Sequence, residues 1–289
     1  MRTLAHISDT HFGRVIPEVA EGLLSDLEAL KPDLVVISGD LTQRARNRQY
    51  RDARRFLARI PFHKVVVPGN HDVPLYDVGR RFLRPLKRFQ RYITADLAPF
   101  YADDEIAVLG INTARSLTWK NGRISIGQVE IIRERFRGLP DSVRKILVTH
   151  HPFLPPPDNI NKALVGRAAR VLEMVERCNL DLLLAGHFHQ SYAGGSHSVY
   201  RTLARSVLVI QAGTATSSRI RRESNAYNVI TIRRQTVQLD VRMWTDGGFR
   251  THRREAYTYT PDSGWDRRPD QINSTPGDAA AVPPPGLRP

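Results

Sequence analysis

Five short polar clusters constrain what this chain of 289 residues can fold into, because each directly follows an apolar, β-branched run. The clusters are Asp9-Thr10-His11, Gly39-Asp40, Gly69-Asn70-His71-Asp72, His150-His151-Pro152 and Gly186-His187-Phe188-His189. Six of the ten histidines in the sequence lie in them. Since α/β proteins assemble their sites at the carboxyl ends of strands, the pattern predicts that all five clusters meet at one sheet edge.

The residue types in these clusters indicate a metal site. Aspartate, asparagine and imidazole are ligands of hard-to-borderline ions, and no cysteine is among them. So many ligands fit two ions, and two cations about 3.5–4 Å apart promote phosphate-ester hydrolysis by lowering the pKa of a bridging water. The sequence therefore predicts a dinuclear centre in a phosphoesterase. These ligands suit Mn, Fe, Zn and Co alike, so the metal stays open.

The spacing within two clusters suggests how the ligands converge. Alternate residues of an extended segment point the same way, so two ligands that are separated by one residue are expected to face the same cavity. The pairs are Asp9 with His11 and His187 with His189, while Thr10 and Phe188 are expected to point elsewhere. Glycine at the strand ends, such as Gly39 and Gly186, is expected to let the backbone turn sharply.

Apolar runs alternate with helical patterns through the first two-thirds of the chain. This alternation predicts an α/β fold with sheets covered on both faces. The predicted strands are 3–8, 34–38, 64–68, 106–111, 145–149, 181–185 and 207–210, and the predicted helices are 19–30, 49–60, 128–139 and 163–179. Three later runs, 228–232, 237–244 and 256–259, follow one another without helices and are expected to be antiparallel neighbours in a second sheet.

Residues 1–260 are expected to form the metallophosphoesterase domain. Within it, residues 74–105 contain three prolines and a basic helix-like stretch at 80–92, and they are expected to form a cap or insertion over the catalytic edge. From residue 261 to 289 the chain is rich in Pro, Gly, Asp, Ser and Ala, which predicts a disordered tail.

The formal net charge of +14 is concentrated in one segment. Between Arg44 and Arg91 there are fourteen Lys or Arg residues and three Asp residues. Such a field attracts phosphorylated metabolites, nucleic acid or an anionic membrane, although a solvated helix face in an arginine-rich chain explains it equally well. The single cysteine, Cys178, excludes an intramolecular disulfide, and no run has transmembrane length, so we expect a cytoplasmic protein.

The five clusters, in this order, resemble the pattern D-x-H, G-D, G-N-H-[DE], H and G-H-x-H of the calcineurin-like metallophosphoesterase superfamily. The resemblance covers about residues 1–245 and implies a four-layer α/β/β/α sandwich of two mixed sheets. It also implies metal ligands: Asp9, His11 and His189 at the first ion, Asp40 as a bridge, and Asn70, His150 and His187 at the second. His71 would contact the scissile phosphate or protonate the leaving oxygen, and Asp72 would orient His71.

Within the superfamily, the short layout is most similar to bacterial class III cyclic-nucleotide phosphodiesterases. That similarity implies hydrolysis of a small phosphodiester, such as a 3',5'-cyclic nucleotide, by a hydroxide that bridges the metals. Three alternatives stay open: a phosphoesterase acting on lipid-linked phosphates at a membrane, a nuclease, and a non-catalytic scaffold. The complete ligand set argues against the scaffold. A homodimer is a further expectation, untested by the sequence.

Several residues outside the ligand set have more than one interpretation. Asn112, after the predicted strand 106–111, is placed to contact the substrate together with Asn70 and His71. Arg14 could reach a phosphate or be a surface arginine, and His151 could act directly or support packing. His6 is expected to be a hydrogen-bonded core histidine. Residues 213–219 follow a predicted strand and could shape the wall of the pocket, but they lack a phosphate-loop pattern and are interpreted as an ordinary loop.

Overall fold

The computed structural model describes residues 1–117, 121–156, 159–176, 178–220 and 223–268. Its helices are α1 (Pro17–Leu30), α2 (Asn47–Ala58), α3 (Val78–Leu83), α4 (Lys87–Tyr92), α5 (Ile126–Phe136) and α6 (Ala168–Glu176). Its strands are β1 (Arg2–Ile7), β2 (Leu34–Ser38), β3 (His63–Val67), β4 (Phe100–Ala102), β5 (Ile106–Gly110), β6 (Arg144–Val148), β7 (Leu182–Ala185), β8 (Tyr192–Gly195), β9 (Leu208–Gln211), β10 (Ala226–Ile232), β11 (Thr236–Thr245), β12 (Gly248–Thr260) and β13 (Gly264–Arg267). In this part of the chain, no helix is long and apolar enough to cross a membrane.

The strands form two mixed sheets. The first sheet has the order β13-β12-β11-β10-β1-β2-β3, and the second has the order β4-β5-β6-β7-β9-β8. In the first sheet β1, β2 and β3 run parallel, and in the second β5, β6, β7 and β9 run parallel. Helices connect β1 to β2, β2 to β3, β5 to β6 and β6 to β7, because a parallel neighbour cannot be reached through a tight turn, whereas in the chain β8 lies between the parallel strands β7 and β9.

Both faces of the central strands are apolar, and this places each sheet between two layers. In β2, Leu34 and Val36 pack into a core between the two sheets, whereas Val35 and Ile37 pack against the helices on the outer face. Helices α1, α2 and α4 cover the first sheet, and α5 and α6 cover the second. The predicted four-layer α/β/β/α sandwich is therefore confirmed, and the strand period of two explains the continuous apolar runs.

The late strands correct one detail of the predicted topology. Strand β10 pairs antiparallel with β1, so β10 to β13 extend the first sheet and do not build a separate one. The second sheet instead comes from the middle of the chain. Alternating hydrophobicity shows that a segment is a strand, but it does not show which edge that strand joins.

Two boundaries also differ from the sequence-based expectation. The prediction of disorder from residue 261 is wrong for Gly264–Arg267, since this segment pairs with β12 as strand β13 and buries Trp265. Residues 269–289 lie outside the described part of the chain. The basic stretch 80–92 forms two short helices, α3 and α4, because Pro85 disfavours helical geometry at Arg84, whose φ is −148°.

His6 is confirmed as a core histidine, and its burial makes stability depend on pH. Its side chain is fully buried in β1, and its Nε2 lies 2.9 Å from Ser38 Oγ. Burial lowers the pKa of His6 from 6.5 to about 3. The imidazole therefore stays neutral in the folded chain at pH values where it takes up a proton in the unfolded chain.

We expect this histidine to weaken the fold on the acid side. Between pH 6.5 and about 3 the unfolded chain binds the extra proton, so the free energy of unfolding falls by about 1.4 kcal/mol for each pH unit lost. Urea denaturation of the wild type and of His6→Gln at pH 7, 6, 5 and 4 measures this difference. Parallel pH profiles for the two proteins would rule the effect out.

Candidate metal centre

All five polar clusters lie at one edge of the sandwich. They follow β1, β2 and β3 of the first sheet and β6 and β7 of the second, and these strands end at the same side of the fold. The site therefore draws its residues from both sheets, and rigid parallel strands fix where each cluster begins.

The backbone that carries the ligands is not extended, which corrects the expected geometry. Five of the predicted ligands have positive φ values between 46° and 75°, in the left-handed region: Asp9, His11, Asp40, His187 and His189. Such conformations cost about 1–3 kcal/mol each and persist only where the surroundings enforce them. These five ligands take their positions because the chain turns left-handed after β1, β2 and β7, and not because residues alternate along an extended segment.

Two glycines allow the loops after β2 and β3 to pack against each other. Gly39 has a φ of +95°, and a Cβ atom there would lie 2.7 Å from His150 Nδ1. Gly69 has an ordinary φ, but a Cβ atom there would lie 2.1 Å from Asp40 Oδ1. Any side chain at either position would displace a predicted metal ligand.

The first ligand group contains Asp9, His11 and His189, whose ligand atoms lie within 4.8 Å of one another. Asp9 Oδ1 lies 3.4 Å from His11 Nε2 and 3.4 Å from His189 Nε2. The second carboxylate oxygen of Asp9 accepts hydrogen bonds from the Ser8 hydroxyl and the His187 amide. These bonds hold the carboxylate so that one oxygen faces the two imidazoles.

The second ligand group is centred on His150. Its Nδ1–H donates to the Ser38 carbonyl at 2.7 Å, which leaves Nε2 as the inward-facing atom. Nε2 lies 3.3 Å from Asp40 Oδ2, 3.1 Å from Asn70 Oδ1 and 3.3 Å from His187 Nδ1. Asp40 Oδ2 also lies 3.8 Å from His11 Nε2, so this carboxylate stands between the two groups.

The donor set fits divalent cations. Asp9 Oδ1 and His11 Nε2 are buried without a hydrogen-bond partner, and buried polar atoms normally have one. Burial lowers the pKa of His187 to about 3 and thereby keeps its nitrogen lone pair available. Although burial opposes a charge on His150, the neighbouring Asp40 carboxylate raises the pKa of His150 to about 9. A bound cation would take the place of that proton.

His71 lies beside this centre, and Asp72 does not orient it as predicted. The Nδ1–H of His71 donates to the Gln43 carbonyl at 2.9 Å, and its backbone N–H donates to Asp40 Oδ1 at 2.8 Å. The Asp72 carboxylate instead accepts hydrogen bonds from the Leu41, Thr42 and Gly69 amides and the Thr42 hydroxyl. Asp72 therefore ties the loop after β2 to the loop after β3.

A cavity of about 330 Å³ opens directly onto the ligand groups. Its wall includes Asp40, Asn70, His71, His187, Phe188, His189 and Arg219. The Arg219 guanidinium donates from Nη1 to His71 Nε2 at 2.9 Å, which makes the pair a shared wall between this cavity and a second one of about 240 Å³.

Residues 2–191 match the profile of the family described as Calcineurin-like phosphoesterase. The chain belongs to this family. Calcineurin-like phosphoesterases use two divalent metal ions, and the two groups of buried His and Asp side chains fit that requirement. The chain is accordingly a metal-dependent phosphoric ester hydrolase.

Sequence relatives of this calcineurin-like phosphoesterase are phosphodiesterases by name. The chain is 28% identical over 210 residues to a glycerophosphodiester phosphodiesterase from Enterobacter lignolyticus, covering 64% of this chain and 70% of that protein. It is 29% identical over 204 residues to a cAMP/cGMP dual specificity phosphodiesterase from Mycobacterium tuberculosis, covering 65% of this chain and 62% of that protein.

Solved structures show the same fold at low sequence identity. A dimetal phosphatase from Danio rerio is 16% identical, with a TM-score of 0.62 over 90% of this chain and 99% of that one. A purple acid phosphatase from yellow lupin is 13% identical, with a TM-score of 0.63 over 86% of this chain and 52% of that one.

Sequence reasoning missed residues in the loop after β9 of this calcineurin-like phosphoesterase. Thr214 Oγ1 lies 2.6 Å from His189 Nδ1, and Arg219 contacts His71. The absence of a phosphate-loop pattern predicts an ordinary loop here. The sequence does not show that the preceding strand, β9, runs parallel to β7 and therefore ends at the edge that carries the clusters.

The structure also bears on three other expectations about the site. Asn112 is buried and its Oδ1 accepts the Ala114 amide at 2.9 Å, so it shapes a turn, and its contact with the substrate stays a prediction. Phe188, expected to point elsewhere, lines the cavity. His151 is buried against the Thr113 hydroxyl at 2.7 Å, and its ligand atom groups with those of His150 and His187.

Proposed function

We propose that the chain hydrolyses phosphodiesters, with 3',5'-cyclic nucleotides as the first substrates to test. The shared Asp40 carboxylate carries this proposal, because its Oδ2 stands between His11 Nε2 at 3.8 Å and His150 Nε2 at 3.3 Å. Two divalent ions bound by these groups would supply Lewis acidity and an activated water. The phosphodiesterase names of the relatives favour diesters over monoesters.

The two groups of side chains in the structure suggest which ligands would bind each metal ion. Asp9, His11 and His189 would hold one ion, His150, His187 and Asn70 would hold the other, and Asp40 would serve both. Two hydrogen bonds fix the orientation of the imidazoles. Thr214 Oγ1 contacts Nδ1 of His189, and the Ser38 carbonyl accepts from Nδ1 of His150. This arrangement presents the remaining nitrogens to the cations.

His71 and Arg219 would act on the substrate. The Nδ1–H of His71 is engaged by the Gln43 carbonyl, so Nε2 is the atom that would hold a proton for the leaving oxygen. Arg219 now donates to that same Nε2. A guanidinium recognises phosphate oxygens with a planar pair of N–H groups. We therefore propose that Arg219 exchanges its hydrogen bond to His71 for hydrogen bonds to the substrate phosphate, which frees His71 Nε2.

Replacing Arg219 should therefore cost substrate binding and turnover together. We expect kcat/KM for a diester to fall about 10²- to 10³-fold in Arg219→Ala, with Arg219→Lys intermediate because it keeps the charge without the planar fork. Steady-state kinetics with bis-p-nitrophenyl phosphate measures this loss. Arg14→Ala is the matched control, since Arg14 is exposed and outside the cavity wall. Equal activity in the two alanine variants would refute a substrate role for Arg219.

A substrate panel tests the proposed function. The Mn²⁺-loaded protein would be assayed with bis-p-nitrophenyl phosphate, p-nitrophenyl phosphate, cyclic AMP, cyclic GMP, single-stranded DNA and a lipid phosphate. We expect diesters to be preferred over the monoester and a cyclic nucleotide to be turned over. If no substrate is hydrolysed and Asn70→Ala changes nothing, the proposal fails. A preference for DNA would support the nuclease alternative instead.

A further inference from the structure

Exposed apolar side chains are concentrated on residues 76–83, next to the cavity of about 240 Å³ that Leu75 and Arg81 line. Of the ten large apolar side chains that stand exposed among the described residues, four lie between positions 76 and 83 and a fifth follows Ser116. These five are here called the apolar patch: Tyr76, Val78, Phe82, Leu83 and Leu117. Leu83 is 83% exposed and Leu117 is 81% exposed. Arg81 joins the two parts of the patch, because its Nε donates to the Ser116 carbonyl at 2.8 Å. Grouped apolar exposure of this kind marks an interaction surface.

Cationic side chains accompany the apolar patch along the chain. Five of them that are exposed or partly exposed are here called the basic rim: Arg44, Arg80, Arg84, Lys87 and Arg91. The Arg44 guanidinium lies 5.7 Å from the centre of the Tyr76 ring, so rim and patch are in contact. Asp77, the acidic residue on this segment, is already paired with Arg80 at 2.7 Å and lies 3.8 Å from Arg88. The surface thus combines apolar area with positive charge.

We propose that the apolar patch and the basic rim dock the protein on an anionic lipid bilayer. Aliphatic and aromatic side chains insert at the level of the headgroups, while arginine and lysine bind the anionic lipids around them. A second copy of the chain suits this surface poorly, because self-association would bring two basic rims together. Nucleic acid would bind the basic rim through its phosphates, but it would leave the apolar side chains of Leu83 and Leu117 exposed.

Docking on this face would also bring the catalytic cavity close to the membrane. The second cavity, which shares the His71–Arg219 wall, is lined by Leu75 and Arg81 from the segment 74–105 and by Arg44 of the basic rim. Its mouth therefore lies beside the apolar patch. The docking itself does not depend on the proposed phosphodiesterase activity, and binding is measured separately from turnover.

Vesicle co-sedimentation tests the proposal with the full chain. We expect wild-type protein to bind vesicles of phosphatidylcholine with phosphatidylglycerol at least tenfold more tightly than phosphatidylcholine alone, and high salt should weaken this binding. The double variant Phe82→Ser, Leu83→Ser should bind at least about tenfold more weakly. Ile126→Ser is the matched control, because Ile126 is also exposed but lies on α5.

A charge variant separates the basic rim from general electrostatics. Arg80→Gln should weaken binding about fivefold, whereas Arg133→Gln, which also removes an exposed arginine paired to an acid at i−3, should not. All variants should keep wild-type turnover of bis-p-nitrophenyl phosphate, which shows that they fold. If the wild-type protein itself does not hydrolyse bis-p-nitrophenyl phosphate, the proposed function fails. Circular dichroism then shows whether the variants fold, so the vesicle binding still tests the docking.

Three results would overturn the proposal. The first is equal wild-type binding to neutral and anionic vesicles. The second is vesicle binding by the apolar double variant that equals the binding by Ile126→Ser. The third is light scattering that shows a wild-type dimer which the apolar double variant dissociates, since the apolar patch would then be an interface between two copies.

Discussion

Asp40→Asn should abolish nearly all phosphodiesterase activity. Asp40 is the carboxylate that stands between the two ligand groups, and the asparagine keeps its shape while losing its charge. The Lewis-acid contribution of bound cations amounts to several kcal/mol, and each 1.36 kcal/mol is a factor of ten in rate. We therefore expect kcat/KM to fall by about 10³-fold or more, as measured with bis-p-nitrophenyl phosphate at saturating Mn²⁺.

The control for this variant is Asp52→Asn, which removes a carboxylate of α2 that pairs with Arg55 at 3.4 Å, away from the site. It should retain wild-type activity. The asparagine oxygen at position 40 can still accept the His71 amide, so circular dichroism should show an intact fold. An Asp40→Asn protein that keeps its bound metal and works within tenfold of wild type would contradict the bridging role.

Asp72→Ala should cause the largest loss of stability. This buried carboxylate accepts the Leu41, Thr42 and Gly69 amides at 2.8–3.1 Å, and its removal leaves those donors without a partner. Each buried unsatisfied donor costs about 1–3 kcal/mol, so we expect the free energy of unfolding to drop by about 3–5 kcal/mol. Urea denaturation in the presence of a chelator measures the loss without any contribution from metal binding.

The same denaturation experiment distinguishes a stabilising role of Asp72 from a role in orienting His71. If Asp72 acted only by orienting His71, its replacement would lower activity and leave the free energy of unfolding of the metal-free chain unchanged. Asp52→Ala provides the reference, since Asp52 is a partly exposed residue of α2, and substitutions at the surface away from special contacts usually change stability by less than about 0.5 kcal/mol. An Asp72→Ala loss no larger than the Asp52→Ala loss would mean that the loops after β2 and β3 hold together without this carboxylate.

The position of the site could be predicted from sequence because the signals were local. Strands with two apolar faces and clusters at their ends fix both the sandwich and the edge where ligands meet. The residue types then indicated that the site binds metal cations, because histidine, aspartate and asparagine at His150, Asp40 and Asn70 are all metal-ligating residues. The structure places all seven predicted ligands in two adjoining groups.

What sequence reasoning missed depends on contacts between distant segments. The left-handed φ of Asp9 and Asp40 arises from how neighbouring loops pack, and no single-segment periodicity encodes it. Asp72 lies next to His71 in the chain, but hydrogen-bond donors from another loop decide which way it points. Arg219 was overlooked because its 148-residue separation from His71 is bridged only in the folded sheet. The membership of β10 in the first sheet was hidden for the same reason.

The metal content of the active protein decides whether hydrolysis needs two ions. The protein would be stripped with a chelator, reloaded with Mn²⁺, desalted and analysed for metal by mass spectrometry while turnover of bis-p-nitrophenyl phosphate is followed. We expect the stripped chain to be inactive and activity to return as the metal content approaches two ions per chain. Full activity in the stripped protein, or with no more than one ion bound, would contradict this expectation.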